Sequence, residues 1–233
     1  MVDVIIPVIK NGSRKNDVEL LYCLRSVEKH LRNYGNIVII GHLPDIINPE
    51  SVVYIPFKDG PKKQANIRSK IIAAFEHTTD TVLFTNDDIM LVSDLDASSF
   101  PYYYSGDLRD TAEKAARHFA YNELKEQGLP TKHFDIHFPI LYKKNLFIES
   151  SRHYSDEASI KSTYANHWHI EGVETKDLKI NSSLREWTIR EAIEDRICFS
   201  VGDYGVTNSM LEVLNSLYPD PSKYESKNQI KAA

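Results

Sequence analysis

Residues 2–9, VDVIIPVI, are an almost unbroken apolar run of strand length, and similar runs recur with helical segments between them. No other feature constrains the fold as much. A strand that is apolar on both faces has to lie inside a sheet covered on both sides, and strands separated by helices pair in parallel. Asn11 to Asp17 reads as a polar loop, and from Val18 to about Asn33 the residues Leu20, Leu24, Val27 and Leu31 fall at helical spacing. Ile37 to Ile40 is a second strand, Ser51 to Ile55 a third, and Asp59, Gly60 and Pro61 mark a turn. Ile67, Ile71, Ala74 and Phe75 make Gln64 to His77 the next helix, and Thr81 to Thr85 a further buried strand. Three such crossings in the first 85 residues predict an α/β fold with a nucleotide-binding type of half.

The second half is less regular. Arg109 to about Gln127 is expected to be helical on the stripe Ala112, Ala115, Ala116, Phe119 and Leu124, ending at Gly128 and Pro130. Ser183 and Glu186 have the spacing of a capping box, which predicts a helix through Glu194. Ile197 to Val201 reads as a last strand, and Met210, Val213, Leu214 and Leu217 mark a last helix. The tail after Pro219 is expected to be loosely held.

Composition removes some alternatives. The 233 residues carry 28 basic and 33 acidic side chains, a net charge of −5, which argues against a chain held mainly by polyanion attraction. Cys23 and Cys198 lie far apart in apolar segments and read as reduced packing residues. Neither a leader nor an apolar run of membrane-spanning length is evident, so a soluble, cytoplasmic protein of a bacterium or a phage-infected cell is expected.

TVLFTNDDIM, residues 81–90, carries an apolar run straight into Asp87 and Asp88. In an open α/β sheet, ligands sit beyond the carboxyl ends of the strands, which is where these acids fall. Adjacent carboxylates repel each other unless a cation lies beside them, and oxygen ligands suit Mg²⁺ or Mn²⁺. The alternative is that Asn86 and the two acids form a turn or cap a helix. Arg68 and Lys70, on the helix before this strand, are placed to reach phosphate oxygens.

Ala65 to Met90 resembles the nucleotide-sugar half of GT-A glycosyltransferases, where an Arg-bearing helix leads into a strand that ends in an Asp-x-Asp type motif. Asp87 and Asp88 stand at that motif without its middle residue. ELLYCLRSVEKHL (19–31), NDDIM, HFPILYK (137–143), SVGDYG and YPDPSKYE are similar in order to the motif blocks of Stealth proteins, which transfer sugar 1-phosphates. Short phage glycosyltransferases look similar through HxP and STYANHWHIEGVETKDLKI. The resemblance implies a GT-A-like (Rossmann-like) fold, a mixed and mostly parallel sheet flanked by helices. It implies a nucleotide-sugar-binding half at 1–98, an acceptor and catalytic half at 99–218, and a tail at 219–233.

The implied activity is metal-dependent transfer of a sugar from a nucleotide diphosphate sugar, UDP-sugar foremost, to an acceptor hydroxyl. The acceptor is a glycan, a small molecule or a modified base in phage DNA. Stealth-like transfer of sugar 1-phosphate is the alternative, and a binding protein without catalysis a third reading. Pro7, Arg68, Lys70 and Asp87 are the residues expected at the nucleotide, and Asp87, Asp88 and His169 those at Mn²⁺ or Mg²⁺. His137, stiffened by Pro139, and Asp203, just past the strand at 197–201, are the candidate catalytic groups. His133, His137, His153, His167 and His169 are five of the nine histidines, and each alone also reads as an ordinary hydrogen-bonded histidine. Tyr102, Tyr103 and Tyr104 read first as packing residues.

Overall fold

A computed structural model describes residues 1–10, 12–111 and 114–226, so Asn11, Ala112 and the end of the tail lie outside the described residues. In chain order the first half runs β1 (Val2–Val8), α1 (Val18–His30), β2 (Leu31–Arg32), β3 (Tyr34–Gly41), β4 (Val53–Pro56), α2 (Lys63–Ala74) and β5 (Thr81–Phe84). Next come β6 (Ile89–Leu91), β7 (Leu95–Asp96), β8 (Tyr103–Tyr104), α3 (Ala115–Glu126), β9 (Ile140–Lys143), α4 (Lys144–Ser150) and α5 (Ile160–His167). Last are β10 (Val173–Glu174), β11 (Lys179–Ile180), α6 (Glu186–Ile193), β12 (Cys198–Val201) and α7 (Asn208–Leu217).

The central sheet has the order β4-β3-β1-β5-β9 and is parallel except for β9, which runs against β5 with Thr81 opposite Lys143 and Phe84 opposite Ile140. Because β1 lies mid-sheet, alternate residues serve opposite faces. Val4, Ile6 and Val8 pack with Leu20, Leu24 and Val27 of α1, while Ile5 joins Ile71 and Phe75 near α2 and Phe147 and Tyr164 of α4 and α5. This two-sided burial explains why the strand reads as a continuous apolar run. The one acid within it, Asp3, is also buried, and its carboxylate accepts from the backbone N–H groups of Asn36 at 2.7 Å and Thr79 at 2.8 Å. Gly41 ends β3 at φ +116, and a Cβ there would lie 2.1 Å from the Val8 carbonyl oxygen, so only glycine allows this close approach of β3 to β1.

A second, three-stranded sheet, β11-β12-β6, lies beside the first, with β12 antiparallel to β6. Its residues Met90, Phe199 and Val201 pack against Ile189 of α6 and Met210 of α7. The expected last strand is therefore present from Cys198, but outside the central sheet.

Other expectations need correction. Ser51 belongs to a 3-10 turn, Pro49–Ser51, so β3 reaches β4 without a helix and only two of the three expected crossings are helical. The segment after Arg109 starts as a 3-10 turn, Leu108–Thr111, and the helix proper begins at Ala115. No capping box forms at Ser183, because α6 begins at Glu186 with no side-chain cap and Glu186 instead pairs with Arg190. Pro219 to Ser226 is held rather than loose. Glu225 takes Arg25 through two hydrogen bonds, 2.7 and 2.8 Å, and Tyr224 is buried.

Candidate functional site

The carboxyl ends of β1 and β5, the end of β12 and the first residues of α2, α3 and α5 open on one cleft of about 910 Å³. Strand ends and helix starts meet there because each parallel strand hands over to a helix on the same side of the sheet. Asp87, Asp88, His137, Asp203, Pro7 and Lys70 all line it.

The acids form one part of the wall. After Phe84 the chain leaves the central sheet, turns through Asn86 to Asp88 and enters β6 of the second sheet, so the two carboxylates sit where the sheets part. Asn16 and Asp17 both adopt left-handed backbone conformations, which turn the preceding loop into α1 and bring Glu19 to the cleft. Asp87 is pushed up to about 7, first by burial and then by the charges of Asp88 and Glu19. One oxygen of Asp88 accepts from Lys179 Nζ at 2.9 Å and Ser200 Oγ at 2.8 Å, while its Oδ1 is buried without a partner.

These donors suit a hard divalent cation. All are oxygens, they repel one another, and one is left unsatisfied. Among the described residues no three His, Cys, Asp or Glu side chains are gathered to hold a metal. Two carboxylates are nonetheless the usual protein share for Mg²⁺, which takes its other ligands from phosphates and water. Asp87 yields a testable consequence. Its folded-state proton affinity is raised, so its ionisation costs stability, and the loss grows as pH rises from the ordinary carboxylate range through about 7. In EDTA, Asp87→Asn is expected to melt above the wild type at pH 8, with the gap closing towards pH 5. A gap that widens on acidification contradicts the burial argument.

The basic residues are arranged differently from the expectation. Lys70 is fully buried at the cleft, where its Nζ donates to Asp59 at 2.9 Å and to the Val8 carbonyl at 3.4 Å. Arg68 does not line the cleft. Its guanidinium pairs with Asp156 at 3.0 Å and donates to the Ser155 carbonyl at 2.8 Å, which ties α2 to the loop before α5. Residues two apart on a helix point about 200° apart, so Arg68 and Lys70 cannot serve one ligand together. Lys63, Lys114 and Arg117, at the starts of α2 and α3, line the cleft instead.

His169 is exposed just past α5 and does not line the cleft, so the structure does not bring it to Asp87 and Asp88. His167 stacks on His153 with centroids 5.0 Å apart and pairs with the Tyr154 hydroxyl at 2.9 Å. His133 is buried against the Ser105 carbonyl. The three tyrosines pack: Tyr103 against Phe138, Tyr104 against Phe134, and Tyr102 with its hydroxyl on the Leu141 carbonyl. Both cysteines are free and buried, and burial raises their thiols, which makes them packing groups.

Two residues at the site had no role assigned from the sequence, although Asp177 lies within STYANHWHIEGVETKDLKI. Asp177, in the loop between β10 and β11, accepts from His137 twice, at the backbone N–H (2.9 Å) and at Nδ1 (2.7 Å). Lys161, buried at the start of α5, donates from Nζ to the carbonyls of Ile136 (2.9 Å) and Phe138 (2.6 Å), and burial lowers its proton affinity. Nothing in IKSTYAN (160–166) marks Lys161 as buried, because the burial of Ile160–Asn166 comes from the fold. Asp203 is exposed at the rim, one residue beyond the buried Gly202.

The architecture is similar to that of solved glycosyltransferase structures. The apo structure of WbbM, a bifunctional glycosyltransferase, superposes with a TM-score of 0.51 at 12% identity, covering 94% of this chain and 50% of that one. The chain thus spans about half the length of WbbM, and at this identity the likeness establishes the fold, a GT-A-like one, and no more. The galactosyltransferase LgtC, in complex with donor and acceptor sugar analogues, aligns over 99% of both chains at 10% identity and a TM-score of 0.48, too low to carry an argument. No protein-family model and no curated protein matches the sequence. Among the described residues, no helix is long and apolar enough to cross a membrane.

Proposed function

We propose that the chain is a metal-dependent glycosyltransferase that moves a sugar from a nucleotide diphosphate sugar, UDP-sugar first, to an acceptor hydroxyl. The observation that carries this reading is the pair Asp87 and Asp88 at the carboxyl end of β5, partly buried, mutually repelling and facing a cleft large enough for a nucleotide sugar. Asp87 and Asp88 would hold Mn²⁺ or Mg²⁺, which when bound supplies charge neutralisation for the departing diphosphate. Lys70 and the cationic starts of α2 and α3 add positive charge to the cleft lining, to which Pro7 also belongs. His137 or Asp203 takes the acceptor's proton.

For the acceptor, the net charge of −5 favours a glycan or small molecule over DNA. Strong, salt-sensitive DNA binding would reverse that preference and point to a modified base. The reading is tested by thermal shift with UDP-, GDP- and dTDP-sugars, with and without Mn²⁺. A ligand that binds the folded state at 100 times its Kd adds about 2.7 kcal/mol of stability. The expected result is a metal-dependent rise in melting temperature for one nucleotide class, with nucleoside diphosphate as the product of turnover. Release of nucleoside monophosphate would show sugar-1-phosphate transfer instead, and no metal-dependent shift with any donor would count against both.

A further inference from the structure

We infer that Asp177 is the positioning residue for His137, fixing its Nδ1–H tautomer so that Nε2, rather than the Asp203 carboxylate, is the proton acceptor of the site. The assignment rests on the glycosyltransfer reading for the identity of the reaction, but not for the geometry.

The carboxylate of Asp177 grips His137 at two points, main chain and ring, with one oxygen on each. Burial pushes the Asp177 carboxyl up, but the hydrogen bonds donated by the ring and the backbone N–H of His137, with the charge of Lys161, act against it, and the carboxyl lies below its ordinary value and stays ionised. An ionised carboxylate only accepts hydrogen bonds. At 2.7 Å, Nδ1 must therefore carry a hydrogen, and in the neutral ring the free lone pair lies on Nε2.

The backbone around this ring is held just as closely. Lys161 takes the carbonyls of Ile136 and Phe138, and the Cys198 thiol lies 3.6 Å from the carbonyl of His137 itself. Three separate parts of the chain, α5, β12 and the loop before β11, thus converge on one histidine. Such convergence removes the reorganisation that a mobile base would need at the moment of reaction. Asp203 has none of this support, because it is exposed and no hydrogen bond among the described residues orients its carboxylate. Asp135, also in the cleft, is engaged by Arg117, whose Nη2 donates to its carbonyl at 3.0 Å.

In the reaction, the acceptor oxygen forms its bond to the anomeric carbon as its proton passes to Nε2. The anomeric bond to the diphosphate breaks, and the nucleoside diphosphate leaves with the electron pair. The imidazolium that results faces the Asp177 carboxylate, which stabilises it until the proton passes to water.

The test is long-range ¹H–¹⁵N spectroscopy of protein labelled in histidine, with the His137 signals assigned from His137→Gln. The wild type is expected to show the neutral ring protonated on Nδ1. Asp177→Asn is expected to lose that preference and to lower kcat on the order of 10²-fold with a much smaller change in donor KM. Asp177→Glu should restore part of both. A wild-type ring protonated on Nε2 overturns the inference even if no Asp177 variant folds, and so does an Asp177→Asn spectrum unchanged from wild type. If Asp177 sets the tautomer but no UDP-sugar is turned over with Mn²⁺, the positioning stands and the glycosyltransfer reading fails. If His137→Gln abolishes turnover while Asp177→Asn keeps the wild-type kcat, the reading stands and the inference fails.

Discussion

Asp88→Ala is expected to lower turnover of a nucleotide sugar in Mn²⁺ by about 10²- to 10³-fold, the scale of losing one preorganised electrostatic contact to a leaving group. The side chain does two things at once. Its Oδ1 is buried and unpartnered, the kind of atom a cation completes, and its Oδ2 anchors Lys179 and Ser200 at the rim of the second sheet. Alanine removes both functions, while asparagine retains an oxygen for Ser200 and loses the charge. Asp88→Asn is therefore expected to fold like the wild type and to be nearly as inactive as alanine, whereas a purely structural role predicts that asparagine rescues. Steady-state kinetics across a Mn²⁺ titration distinguishes the two. Full activity of Asp88→Ala at any Mn²⁺ concentration would sink the metal assignment.

Phe147→Ala carries the largest expected cost in stability, about 3–5 kcal/mol. The ring is 1% exposed and sits at the junction of α2, β9 and α5, with centroids 5.7 Å from Phe75, 4.7 Å from Tyr142 and 6.0 Å from Tyr164. Aromatic pairs at these separations add to the burial term, and the neighbours belong to three different elements, so they cannot collapse together into the space left. A domain of this size stands only about 5–15 kcal/mol above its unfolded state, so the midpoint of urea unfolding should fall steeply. Phe147→Leu, which refills most of the volume, should recover more than half the loss. A drop under about 1 kcal/mol for alanine would mean that this cluster is not the packed core described.

These two sites differ in how far they can be read from sequence. Asp88 is legible because a strand that runs into acids has one location in a parallel sheet, its carboxyl end. The same logic makes β1, α1, β3, α2 and β5 legible, since the strands are apolar runs bounded by polar residues and the helices show their period. Phe147 is not legible as a core residue, because its importance comes from β9, a four-residue strand antiparallel to an otherwise parallel sheet. Strands of two or three residues, such as β7, β8, β10 and β11, have no period to detect.

Among the site residues, proximity in sequence leads to the cleft for Asp87 and away from it for Arg68. Being on the helix before the acidic strand does not decide which side of that helix faces the ligand, and Arg68 faces Asp156 while Lys70 faces the cleft. His169 fails for a related reason. Its residue ends a helix in the left-handed conformation, so it does not extend as a strand with His167. Asp177 lies 40 residues from the histidine it holds, a contact that only the tertiary fold creates.

The most direct test is a crystal of the protein soaked with UDP-sugar and Mn²⁺. The cation should lie about 2.0–2.2 Å from carboxylate oxygens of Asp87 and Asp88, with the diphosphate completing its shell. A nucleotide bound elsewhere, with both aspartates turned to bulk water and no metal between them, contradicts the account.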